Sequence, residues 1–137
     1  MADKMLRAFL VEDDTAWQRI YKFYLEKEGL ITEVVGNKED AFRKMDVSVF
    51  DIAVVDLRLN DEDENNWDGI NVAKHLRETH PETHLIVKSG FLGSNIQSEL
   101  EELHADGIFD KGNPIEEFVG LVKKIISLVC TQDNRKA

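Results

Sequence analysis

The chain has 137 residues, 42% hydrophobic and 32% charged, with 8 glycines and 2 prolines, the balance of one compact domain and not of a disordered or fibrous protein. Its formal net charge of −10 argues against nucleic acid or an anionic membrane as a direct partner, because both select basic surfaces. The single Cys130 leaves no internal disulfide and no cysteine-based zinc site, the start "MADKMLRAFLVEDD" has too short an apolar stretch for a signal peptide, and no run approaches the roughly 18 apolar residues of a spanning helix, so a cytoplasmic protein is expected.

Taken in order, the chain alternates short apolar runs with stretches of helical period. Leu6 to Glu12 ("LRAFLVE") is the first predicted strand, and a helix over 14–29 follows it with Asp14 placed as its cap. On that helix Trp17, Tyr21 and Tyr24, spaced four and three, read as core packing. Leu30 to Val35 is the second strand and 37–46 the second helix. Asp51 to Asp56 ("DIAVVD") is the third strand, followed by an acid-rich stretch and a helix over 69–79. His84 to Ser89 ("HLIVKS") is the fourth strand, and Ser94-Asn95-Ile96-Gln97 is a capping box opening a helix over 94–106. Gly107 to Asp110 is the fifth strand. Asn113-Pro114-Ile115-Glu116 then starts a last helix over 114–129, with an Asn cap and Pro at its first position. Ile115, Phe118, Val119, Val122, Ile125, Ile126 and Val129 share one face of it, and Leu121 and Leu128 lie on the flank, either the edge of a buried face or a partner stripe. Residues 130–137 read as a polar, frayed tail. Five strands alternating with five helices imply βα units and an α/β fold whose parallel sheet is covered on both faces, one domain over 1–137 with its core at about 6–129.

In an open parallel sheet, ligands bind outside the carboxyl ends of the strands. Here the first strand ends in Glu12-Asp13-Asp14, the third in Asp56, the fourth in Ser89, and the fifth is followed by Lys111, so carboxylates, a hydroxyl and an ammonium arrive at one edge. The chemistry that wants this set is phosphoryl transfer to a carboxylate. Clustered acids raise one another's pKa and call for a divalent cation, and oxygen-only ligands favour Mg²⁺. Asp56 would attack phosphorus, the metal and Lys111 would neutralise the equatorial oxygens, and Ser89 would donate a hydrogen bond. Asp61, Asp63 and Asn65 imitate the opening of a calcium loop, but Asn66 stands where Gly is required and Val72 where the bidentate Glu belongs, so the acidic loop 60–67 reads as a solvated rim.

The segments "FLVEDD", "DIAVVDLRL…DGI", "LIVKSG" and "ADGIFDKGNP" together resemble the receiver domain of two-component response regulators, over about Leu6 to Val129. That resemblance implies a flavodoxin-like, doubly wound (βα)5 fold with strand order 2-1-3-4-5. It also implies that Asp56 is the phosphoacceptor, that Glu12, Asp13, Asp56 and the backbone carbonyl of Arg58 bind Mg²⁺, that Ser89 is the switch hydroxyl and that Lys111 contacts the phosphoryl group. The implied partners are a sensor histidine kinase or a histidine phosphotransfer protein as donor and a downstream protein reached through about Ser94 to Val129, with a homodimer left open. Such a domain assists only its own phosphorylation and dephosphorylation and is not otherwise an enzyme.

The chain departs from the family pattern in places. The loop before Asp68-Gly69 is longer, Gly112 follows Lys111 where Pro is common, and Ile108 takes the aromatic switch position, with Phe109 beside it. Arg58 and Phe91 stand two residues beyond Asp56 and Ser89, where the family tunes the access of hydrolytic water. Other classes fit less well. An Asp-nucleophile phosphatase would need a second Asp where Arg58 stands, and a flavin module would need a Ser/Thr/Gly-rich loop in place of "EDDTAW". The remaining alternative is a receiver-like interaction domain that works without phosphorylation, favoured by Ile108 and the long loop.

Overall fold

The computed structural model describes residues 5–57, 68–89 and 101–136. Its five strands are β1 (Arg7–Val11), β2 (Ile31–Val35), β3 (Ile52–Asp56), β4 (His84–Ser89) and β5 (Gly107–Asp110). They form one parallel sheet in the order β2-β1-β3-β4-β5. Around it lie α1 (Thr15–Lys27), α2 (Lys38–Val47), α3 (Asp68–Thr79) and a C-terminal helix (Ile115–Lys136). Residues 101–103 are helical, the end of the fourth predicted helix, whose start and capping box lie outside the described residues. The fold is therefore the expected flavodoxin-like, doubly wound (βα)5 arrangement.

Alternation along each strand divides the core in two. Ala8, Leu10, Ile52, Val54, Ile86 and Phe109 face α1 and the C-terminal helix, where Tyr21, Leu25, Phe118, Val122 and Ile125 cover them. Phe9, Val11, Ala53, Val55, Leu85 and Val87 face the other way, onto Ala41 and Met45 of α2 and Ile70, Ala73 and Leu76 of α3. Burial on both faces explains why the strands read as nearly unbroken apolar runs.

The helix ends follow local chemistry. Asp14 accepts the backbone N–H of Trp17 at 3.0 Å and so starts α1, and Asn37 accepts that of Asp40 at 2.8 Å and starts α2. Beyond α1, Gly29 takes φ +90°, and Leu30 N–H returns to Leu25 O at 3.2 Å while Gly29 N–H reaches Glu26 O at 2.9 Å. That double closure satisfies the last carbonyls of α1 and needs a residue tolerant of the left-handed region.

The structure corrects one boundary. The polar tail expected after Val129 continues the C-terminal helix to Lys136, because no Gly or Pro lies in between to stop it. On the flank of that helix, Leu121 packs against the core while Leu128 is 45% exposed. Trp17, Tyr21 and Tyr24 are packed as expected, with Tyr21 fully buried. No peptide bond among the described residues is cis, and no described helix is long and apolar enough to cross a membrane.

Candidate functional site

The alternation that sorts the core also sorts the residues at the carboxyl edge of the sheet. Following Ala8 and Leu10, Glu12 falls on the side of the C-terminal helix; following Ile52 and Val54, so does Asp56; following Ile86, so does Lys88; and following Phe109, so does Lys111. Asp13 falls on the opposite parity. Register reinforces the convergence, since Asp56 pairs with Lys88 across β3 and β4 and Ser89 with Asp110 across β4 and β5.

Three contacts hold this edge in place. Leu57 N–H continues the ladder past Asp56 to Lys88 O at 3.0 Å. Gln18 of α1 donates its Nε2 to Glu12 O at 2.6 Å. Gly69, at the start of α3, lies so close beneath the end of β3 that a Cβ there would stand 1.9 Å from Asp56 O and 2.5 Å from Leu57 C. The Asp68-Gly69 pair is thus a close-approach element that presses α3 against the backbone carrying Asp56.

Glu12, Asp56 and Lys88 are fully buried, and the Lys111 side chain is 12% exposed. Lys111 Nζ donates to Asp56 Oδ2 at 2.5 Å and stands 3.7 Å from Glu12 Oε1. Lys88 Nζ donates to Glu12 Oε1 and lies 4.2 Å from the centre of the Tyr21 ring. Asp14 N–H donates to Glu12 Oε2 at 3.1 Å. Oxygens from Glu12, Asp13 and Asp56 all lie within 4.8 Å of one another.

Electrostatics separate the three acids. Burial pushes the Asp56 carboxyl up to about 6, an effect the Lys88 ammonium opposes, the Glu12 charge adds to, and Lys111 opposes in turn. Asp13 is also pushed up to about 6, by burial and then by the hydrogen bond and charge of Glu12. Burial works to raise Glu12 as well, but the Lys88 ammonium and the N–H of Asp14 outweigh it and hold the group below the ordinary carboxylate range. Burial lowers the Lys88 ammonium against the pull of Asp56 and Glu12.

The fit to a divalent cation can be judged from these groups. Asp13 Oδ1 is buried with no hydrogen-bond partner, which is costly unless something positive meets it. A carboxylate oxygen of the same Asp13 lies in the cluster of oxygen-only donors. A hard cation of the Mg²⁺ kind satisfies both demands.

Of the residues expected at the site, Glu12, Asp13, Asp56 and Lys111 come together, and Asp14 caps α1. Ser89 is the last residue of β4 at this same edge, and Arg58, Phe91 and the acidic loop 60–67 lie outside the described residues. Lys88 was not anticipated. Its signal was a charged residue on the inward parity of an otherwise apolar strand, in step with Ile86.

Comparisons with known proteins agree with this geometry. A family model described as the response regulator receiver domain matches residues 8–123. Among solved structures, a CheY-like response regulator receiver domain protein from Methanospirillum hungatei is similar at 22% identity and TM-score 0.79, covering 96% of this chain and 99% of that one. The response regulator TrrA from Thermotoga maritima, solved in complex with Mg²⁺-BeF, is similar at 24% identity and TM-score 0.73, covering 88% and 99%. A CheY-like receiver domain from Methylobacillus flagellatus is similar at 27% identity and TM-score 0.71, covering 89% and 99%. No curated protein matches the sequence at a significant level. With five parallel strands in the order 2-1-3-4-5, an acid cluster and a lysine at their carboxyl edge, and a family match over residues 8–123, the chain belongs to the response regulator receiver domains of two-component systems.

Proposed function

We propose that this receiver domain accepts a phosphoryl group on Asp56 in a Mg²⁺-dependent transfer from the phosphohistidine of a sensor kinase or phosphotransfer protein, in the cytoplasm, and passes the change to a protein target. The observation that carries the proposal is the buried Asp56 carboxylate, paired with Lys111 at 2.5 Å and clustered with the oxygens of Glu12 and Asp13. The complex of the related TrrA with Mg²⁺-BeF supports it.

Asp13 and Asp56, with Glu12 and the carbonyl of Arg58, would hold the metal ion, which supplies positive charge for the phosphoryl oxygens when bound. A carboxylate oxygen of Asp56 attacks phosphorus while the P–N bond to the donor imidazole breaks, and the ring leaves with the electron pair and takes up a proton. Lys111 lies against Asp56 and serves as the second cation for the equatorial oxygens. Ser89, the last residue of the neighbouring strand, would donate its hydroxyl to the transferred group. At neutral pH an acid with a pKa of about 6 is mainly ionised, as a nucleophile must be. The alternative of a domain that is never phosphorylated is not favoured, because the acid and lysine set is assembled in full.

The test is incubation with Mg²⁺ and a small acyl phosphate, followed by intact mass measurement. One acid-stable, base-labile phosphoryl group is expected, and Asp56→Asn is expected to abolish it, since an amide is not a nucleophile. Undiminished labelling in Asp56→Asn would place the acceptor elsewhere.

A further inference from the structure

The site holds a second buried cation that this chemistry leaves unused. Lys88 is fully buried, donates to Glu12 Oε1 and packs over the Tyr21 ring, and its charge is felt by Asp56 as well. The other oxygen of Glu12 accepts the N–H of Asp14 at 3.1 Å, and Lys111 stands 3.7 Å from Oε1. Both oxygens of Glu12 are therefore engaged within the protein, whereas Asp13 Oδ1 is buried and has no partner. Three carboxylates against two ammoniums leave the cluster a formal charge of −1, and without Lys88 it would be −2.

We infer that Lys88 is a positioning residue that engages Glu12 as its counter-ion and lowers the Mg²⁺ affinity of the acceptor site by making Glu12 a weaker ligand than Asp13 and Asp56. The inference rests on the Mg²⁺-dependent function proposed above. Two effects act in the same direction. The ammonium repels a dication across a buried, poorly screened site, and it withholds a carboxylate that would otherwise turn to the ion.

The experiment is calorimetric titration of MgCl₂, at one pH, into the wild-type chain, Lys88→Met, Glu12→Gln and the double variant. Methionine keeps the length and apolar stem of lysine without its charge. Lys88→Met is expected to bind Mg²⁺ about tenfold more tightly or better. Glu12→Gln is expected to cost several-fold more affinity in the Lys88→Met background than in the wild type, because there Glu12 is freed from its ion pair and turns fully to the metal. Unchanged or weaker binding by a folded Lys88→Met overturns the inference. Should the uncompensated Glu12 prevent that variant from folding, the double variant, neutral at both positions, is compared with Glu12→Gln. It should bind about threefold more tightly or better, and equal affinity overturns the role of Lys88. No Mg²⁺ binding in any of the four proteins overturns the Mg²⁺-dependent function and the inference with it, whereas wild-type binding without tightening removes only the inference.

Discussion

The three carboxylates of the site are held in two different states, and the difference has a sign that pH can expose. Asp13 and Asp56 titrate near 6, above their ordinary value of 3.8, so in the metal-free chain each weakens the fold at neutral pH and ceases to do so as it is protonated. Glu12 lies below its ordinary 4.5, so its contribution is present above that value and is lost as pH falls beneath it. Without Mg²⁺ the protein should therefore melt at a higher temperature near pH 5 than near pH 7.5, and lose stability again below about pH 4. Asp56→Asn should flatten the rise between pH 7.5 and 5; a wild-type melting temperature that only declines on acidification would contradict the assignment. Neighbouring acids differ in task as well. Asp13→Ala should weaken Mg²⁺ binding severely, while Asp14→Ala, which removes the cap on Trp17 N–H, should mainly cost about 0.5–2 kcal/mol of stability. Denaturation and Mg²⁺ titration of the two variants separate these roles, and equal loss of metal affinity in both would defeat the division. Glu12, Asp13, Asp56 and Lys111 were legible in the sequence because each stands where a strand ends or just beyond. Lys88 is not legible there, because a single charge inside an apolar run carries no sign of the buried partner it meets.

At the scale of elements, two glycines make opposite predictions. Gly69 lies where a Cβ would enter the backbone of Asp56 and Leu57, so Gly69→Ala must push α3 away from β3 and should cost about 2 kcal/mol or more. Gly120 lies inside the C-terminal helix with nothing within 4 Å of an added Cβ, and Gly120→Ala should stabilise by about 0.5–1 kcal/mol. Chemical denaturation compares the pair directly, and a tolerated Gly69→Ala would mean that α3 is not what fixes the end of β3. The elements themselves were easy to read because strands buried on both faces and helices opened by Asp14 and Asn37 carry separate signals that agree. The end of the last helix was not readable, since polar residues without Gly or Pro carry no stop signal.

For the whole molecule, the sheet order decides where a charge placed on Asp56 is felt. β3 lies between β1 and β4, and β4 neighbours β5, so the strand ends carrying Lys88, Ser89 and Lys111 follow one another outward from the acceptor along the carboxyl edge of the sheet. A phosphoryl group on Asp56, as proposed above, would draw Ser89 and Lys111 toward it, and their strand ends would carry the segments that follow. The ring of Phe109 is buried against Tyr21 and Phe118, at 6.4 and 5.6 Å between centroids, and Ile108, 45% exposed, has no ring to swing. The change should accordingly pass through the end of β4 and residues 90–93 more than through a rotating side chain. Amide-exchange or chemical-shift mapping with and without beryllofluoride should then find its largest effects from about Ser94 to Val129, the segment expected to signal to a target protein. Replacing Ser89 by Ala should shrink those effects, and replacing Ile108 by Ala should leave them largely in place. Changes confined to residues 58–67, with Ser94 to Val129 silent, would sink this account of output and move the signal to the acidic loop.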